Sequence, residues 1–193
     1  MFVLTVDQRD SRNDVDRVAP LLADLADRAL LRPFERTAGD EVQAVADDPA
    51  AVVDVALDLV RRGHWSIGIG IGEVEQPLPD QTRAGRGPAF EAARAAVDRA
   101  KKAPGAVAVE APNADTALDA DTALTLIALV IARRSPQGQA AVDLMERGLT
   151  QSEAATELGI SKQAVSQRLA AAGWHADGPG RRLATRLLER ADR

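Results

Sequence analysis

The feature that most constrains this chain is WSIGIGIGEV, residues 65–74. Isoleucine alternates with glycine there, and a period of two is the signature of a β-strand. Ile67, Ile69 and Ile71 fall on one face, while Gly68, Gly70 and Gly72 leave the other bare. A bare face needs close company: another backbone, a helix or a ligand must approach it.

The flanking segments predict a sheet around this strand. Residues 1–7, MFVLTVD, read as a strand. Asp14 to Leu30 shows helical apolar spacing through Val15, Val18, Leu21, Leu22, Leu25 and Leu30. Pro33-Phe34 opens a new segment, Gly39 marks a tight turn, and Glu41–Ala46 returns as a strand. Asp47-Asp48-Pro49 starts a helix that Gly63 stops. Residues 76–88 are a loop rich in proline and glycine, Phe90–Lys102 an alanine-rich helix, and AVAVEA (106–111) a short strand. The order strand, helix, strand, strand, helix, strand, helix, strand implies an α+β sandwich, with a largely antiparallel sheet and helices packed on one face.

Pro112-Asn113 to Ala120 reads as a linker, after which every pattern is helical. Ala123–Ala132 is almost wholly apolar, Gln137–Arg147 is amphipathic, two short helices follow, and an arginine-rich helix ends the chain from about residue 180 to 191. GWHADGPG (173–180) is too polar and glycine-rich to assign, and no β-wing is evident there. The expectation is an α+β domain over 1–112 followed by an all-α domain over 113–193.

Composition narrows the classes. Apolar residues make up 46% of the chain but aromatics only 3%, so the core must come from Ala, Val, Leu and Ile. The absence of cysteine excludes disulfides and thiolate metal sites. No uninterrupted apolar run reaches spanning length and the N-terminus lacks a signal pattern, so a cytoplasmic protein without a membrane partner is expected. The net charge of −5 conceals an asymmetry: residues 160–193 carry seven basic and three acidic side chains. Local field, not net charge, is what phosphate contacts need.

Residues 148–174, GLTQSEAATELGISKQAVSQRLAAAGW, carry the clearest motif. Thr150 or Ser152 can cap a helix, and Glu153 stands three residues after Thr150, a capping-box spacing. Ala154 and Ala155 permit close helix approach, and Gly159 suits a left-handed turn between Leu158 and Ile160. Ser161 caps the next helix; Ala164, Val165 and Leu169 point inward, leaving Lys162, Gln163, Ser166, Gln167 and Arg168 outward. About 20 of these residues resemble the helix-turn-helix of bacterial regulators and the DNA-reading part of sigma factors. That resemblance implies double-stranded DNA as partner. Gln would pair with adenine, Arg with guanine, and Lys or Ser with phosphate.

The first half offers a second constellation. Asp7 ends the first strand and Asp40 lies in the turn before another. If those strands are neighbours, the carboxylates face one another and could hold Mg²⁺ with a nucleotide, Arg94 and Lys101 supplying countercharge. Alternatively, Gly39-Asp40 is only a hairpin turn and Arg94 a surface residue. His64 and His175 read as surface or capping residues, and there is no Ser/His/Asp grouping or zinc pattern. Asp7, Ser11 and Arg12, the turn Gly39, Asp40, Glu41 and Gln43, and the segment Gly87, Pro88, Ala89, Phe90, Ala93 and Arg94 together resemble the SatD family, over roughly residues 1–110. More distantly they are similar to the nucleotide-cyclase fold of class III and GGDEF cyclases, which implies a ferredoxin-like, cyclase-like sheet with metal carboxylates at Asp7 and Asp40. The chain departs from those enzymes: Ala38 and Val42 replace signature residues, and Phe90 stands where class III cyclases carry an asparagine. The resemblance implies a fold and a nucleotide site, not cyclase turnover.

The combined expectation is a DNA-binding transcription regulator with a cyclase-like sensing or dimerising domain, working as a homodimer, with no catalytic residue. Two alternatives stand: a nucleotide-acting enzyme localised by its helix-turn-helix, or a non-sensing DNA-binding assembly protein. The final helix offers Leu183, Leu187 and Leu188 as an apolar stripe for self-association, unless that stripe packs on its own domain.

Overall fold

The computed structural model describes residues 1–11 and 14–193, so Arg12 lies outside the described residues. The fold is mixed α+β. Strands β1 (Phe2–Gln8), β2 (Arg32–Arg36), β3 (Glu41–Ala46), β4 (Trp65–Ile71) and β5 (Val107–Glu110) form a five-stranded sheet in the order β2-β3-β1-β4-β5. All neighbours are antiparallel except β4 and β5, which are parallel. Helix α1 (Val18–Asp24) lies between β1 and β2, α2 (Pro49–Arg62) between β3 and β4, and α3 (Pro88–Ala100) between β4 and β5. Beyond the sheet come α4 (Ala114–Ala132), α5 (Pro136–Glu146), α6 (Gln151–Leu158), α7 (Lys162–Ala171) and α8 (Trp174–Ala191).

The bare face of β4 determines the layering. A Cβ on Gly68 would lie 2.2 Å from the Val97 nitrogen, and one on Gly70 would lie 2.2 Å from the Ala89 oxygen. Helix α3 therefore rests backbone against backbone on the strand, with Ala89, Ala93, Ala96 and Ala100 all buried. The bulky face carries Ile67, Ile69 and Ile71 into a larger core with α1, α2, α4 and α8. Helices thus cover both faces, which corrects the one-faced packing expected from element order. The glycines that admit α3 on one side are the reason.

Two local expectations are also corrected. Helix α1 starts at Val18, not Asp14, because Gln8 holds the preceding backbone: its Nε2 donates to the Val15 carbonyl and its Oε1 accepts from Arg17 N. Residues 174–181 are helical and belong to α8 despite Gly178, Pro179 and Gly180. A Cβ on Gly180 would stand 3.0 Å from Ile127, so that glycine lets α8 pack tightly on α4.

Packing does not divide at residue 112. The segment expected as a linker is the start of α4, capped by Asn113, whose side chain accepts from the Asp115 and Thr116 amides. Leu124, Ile127 and Ala128 of α4 and Ala184 and Leu188 of α8 share the core of the sheet. A separate core holds α5, α6 and α7 together through Ala141, Val142, Leu144, Ala154, Ala155, Val165, Leu169 and Ala172. The chain thus leaves the sheet body after α4, forms a three-helix unit, and returns in α8.

Ion pairs fasten the junction. Arg134, on α4's C-terminal side, and Asp177 are both buried and paired, and Arg134 Nε also donates to the Ala172 carbonyl at 2.9 Å. Arg181 bridges Asp177 to Asp54 of α2, and Arg61 of α2 reaches Asp143 of α5 at 3.3 Å. Among the described residues no helix is long and apolar enough to cross a membrane.

Candidate nucleic-acid interface and polar cleft

Local chemistry fixes the geometry of α6 and α7. Thr150 Oγ1 accepts from Glu153 N, and Glu153 Oε2 accepts from Thr150 N at 2.7 Å, which closes a capping box. The Thr150 amide and then its hydroxyl hold the Glu153 carboxyl below the usual carboxylate range. Gly159 ends α6 at φ 64°, ψ 33°, with open space around it. That left-handed residue redirects the chain into α7 without steric penalty. Ser161 then caps α7, its hydroxyl accepting from Ala164 N at 3.1 Å.

Val165 and Leu169 of α7 are buried against α5 and α6, while Ala164 is half-buried rather than inward. The outward residues are Lys162, Gln163, Ser166 and Gln167, with Arg168 half-buried beside them; Ser161 is exposed at the helix start. Arg147 and Glu157 pair with one another nearby, but among the described residues no ion pair uses Lys162 or Arg168. The six sequence-assigned DNA residues thus lie along one helix and its cap. They present amide, hydroxyl and cationic groups without competing carboxylate partners.

On the sheet, Asp7 and Asp40 do share a site. They line an open cleft of about 540 Å³ with Gln8, Arg9, Asp10, Ser11, Ser66 and Lys101. Antiparallel register sets Asp7 opposite Glu41 on one side and Ser66 on the other. Gln8 N donates to the Asp40 carbonyl at 3.2 Å, which ties the turn to β1. Lys101 Nζ stands 3.2 Å from both Asp7 Oδ2 and Asp98 Oδ1. Burial pushes the Asp7 carboxyl above its ordinary value, the charges of Asp40 and Asp98 add to this, and Lys101 works against it. The Ser66 hydroxyl on the cleft wall is buried with no hydrogen-bond partner among the described residues. Sequence reasoning missed Ser66; only its register opposite Asp7 could have pointed to it.

This donor set does not fit a resident Mg²⁺. The ion takes near-ideal octahedral oxygen coordination. Here an ammonium already neutralises Asp7, and among the described residues no three His, Cys, Asp or Glu side chains converge.

Arg94 does not join the cleft. Its guanidinium donates to Glu41 Oε1 at 3.0 Å, and the same oxygen accepts from Thr37 Oγ1 at 2.6 Å. It lines a neighbouring groove with Arg83, Arg86 and Gln43. The pairing of Arg94 and Lys101 as common countercharges is therefore corrected: Arg94 within α3 and Lys101 just after its end reach different carboxylates. Phe90 is buried with Val3, Val45, Val74 and Ala93 and serves the core, not a ligand. His64 is half exposed, 3.9 Å from Asp14, and His175 is exposed. Comparison with protein-family models, curated proteins and solved structures finds no match for this chain.

Proposed function

We propose that this protein is a DNA-binding transcription regulator. Its three-helix unit reads double-stranded DNA as a helix-turn-helix, and its sheet body is a cyclase-like sensing or dimerising domain. The observation that carries this reading is α7: a short helix, rigidly capped at Ser161, whose exposed face bears Lys162, Gln163, Ser166 and Gln167 with Arg168 at its edge. Long polar side chains projecting from one short helix suit a major groove, where Gln and Arg read base edges and Lys and Ser contact phosphate. The sharp turn at Gly159 and the supporting α5 match the way such a helix is held against DNA.

The sheet order supports the cyclase-like reading of the body: β4-β1-β3-β2, antiparallel throughout, is the ferredoxin-like order, extended by β5. The cleft at Asp7, Lys101 and Ser66 supports a sensing role, because a bound polar ligand would satisfy the unpartnered Ser66 hydroxyl. A resident metal is not part of the proposal, and neither is turnover. Ligand binding alone shifts a DNA-binding equilibrium when two states differ in affinity.

A gel-shift series on genomic fragments at low salt tests the proposal. Retardation is expected that weakens steeply with salt. Gln163→Ala and Arg168→Ala should each cost about 1–3 kcal/mol of specific binding. Absence of any retardation at low salt would remove the regulator reading.

A further inference from the structure

The chain has a second unpartnered surface, on the outer side of α4 and α8. Leu118 is 63% exposed, Leu126 61%, Val130 39% and Leu183 45%; the remaining exposed large hydrophobics, Val15 and Leu31, lie elsewhere. Leu126, Val130, Ala176, Gly180 and Leu183 wall an apolar groove of about 220 Å³ between the two helices. Its side chains differ from the stripe read in the sequence: Leu188 is fully buried and Leu187 half-buried, so of those three leucines only Leu183 faces out.

The charges flanking this groove are ordered. Ile127 packs on Gly180 and Val130 on Gly173, while Ala114 and Ala191 line one pocket at the opposite end. Helices α4 and α8 are therefore antiparallel, which sets Asp119 at the height of Arg186 and Asp115 at the height of Arg190. All four are exposed, and among the described residues none forms an ion pair. The acidic start of α4 thus lies beside the basic end of α8, and the uncovered apolar groove continues from these charges toward the other end of the helix pair.

We infer that this face binds a second copy of the chain, with α4 of each copy lying over α8 of the other. A two-fold axis parallel to the helices exchanges α4 with α8 and preserves height. Asp119 of one copy then meets Arg186 of the other, Asp115 meets Arg190, each pair occurs twice, and the apolar grooves close on one another beside these charges. An axis perpendicular to the helices would set α4 on α4 and leave these charges unpaired. The regulator reading enters only as the use for such a dimer: two recognition helices can engage two half-sites about one DNA turn apart.

Sedimentation equilibrium of the full chain at tens of micromolar, without DNA, decides the matter. The wild type should be a dimer, and Leu126→Glu should weaken association at least tenfold while leaving the far-ultraviolet circular dichroism unchanged. Asp119→Arg and Arg186→Asp should each be monomeric alone, and an equal mixture of the two should restore dimers. Only contacts between chains can be rescued by mixing. A monomeric wild type, a dimer indifferent to Leu126→Glu, or a mixture that stays monomeric overturns the inference. A monomer that still retards DNA at low salt would remove this dimer face and leave the DNA reading standing; a dimer of this design that ignores DNA would do the reverse.

Discussion

Replacing Gly70 by alanine tests the layering of the fold, because the new methyl has nowhere to go. Its Cβ would lie 2.2 Å from both Ala89 O and Ala93 N and 2.7 Å from Ala93 Cα, all backbone atoms of α3. Non-bonded heavy atoms settle at about 3.5–4.0 Å, so the helix must withdraw by roughly 1 Å. A gap of that size forfeits about a quarter to a half of each dispersion contact, and α3 buries Ala89, Phe90, Ala93, Ala96, Val97 and Ala100. Overpacking in a close-packed core costs about 1–3 kcal/mol, and a rigid backbone obstacle belongs at the upper end. In a chain of this length about 3 kcal/mol lowers the melting temperature by roughly 6–12 °C. Urea denaturation followed by circular dichroism measures it. A loss under about 0.5 kcal/mol, the range of ordinary surface changes, would refute close contact between β4 and α3. Gly68→Ala should behave alike, since it meets Val97 N at 2.2 Å.

Gly178→Ala should not bring the gain of about 0.5–1 kcal/mol usual for a helical glycine in the same denaturation assay, because Gly178 directly precedes Pro179 within α8 and a Cβ there clashes with the proline ring in helical backbone. Arg134→Met leaves the buried Asp177 with Arg181 alone and should cost about 3–5 kcal/mol by urea denaturation. Burial opposes ionisation of Asp177, but hydrogen bonds from Arg134 and Arg181 outweigh it and hold the carboxyl below its ordinary value. A depressed carboxyl contributes stability above its unfolded pKa, near 3.9, and loses it as pH falls through the folded value. Asp177→Asn should therefore flatten the acid limb of a stability–pH profile. Asp7 has the opposite sign: burial raises its pKa, so its ionisation costs the folded state some stability above the unfolded pKa, near 3.9, and that cost is absent at lower pH. Asp7→Asn should leave the melting temperature at pH 7 unchanged or higher, whereas a fall would mean that the Lys101 pair is structurally dominant.

What could be read from the sequence was written in local chemistry. The Ile/Gly alternation gave β4, Asp48-Pro49 and Gly63 gave the ends of α2, and Thr150, Glu153, Gly159 and Ser161 gave α6, its turn and the start of α7. Each is a signal within a few residues, decided by backbone conformation or capping. What escaped was decided at long range. Nothing near Gly178-Pro179-Gly180 favours a helix; α8 forms there because Gly180 accommodates Ile127 and Asp177 holds Arg134. Asn113 looked like a linker residue because a cap and a turn use the same side chain. In the candidate cleft, the proximity of Asp7 and Asp40 followed from adjacent strand ends. The lysine on Asp7, the diversion of Arg94 to Glu41 and the unpartnered Ser66 depended on where α3 lies across the sheet.

The salt dependence of binding to a selected DNA site, followed by fluorescence anisotropy, tests whether α7 reads DNA. Each neutralised phosphate contributes a slope of about −0.9 to log K against log salt. Lys162→Ala should reduce that slope by about one and weaken binding alike on all sequences. Gln163→Ala should leave the slope unchanged and relax discrimination between bases. A slope indifferent to Lys162, with discrimination indifferent to Gln163, would mean that α7 does not face the DNA and would contradict the account.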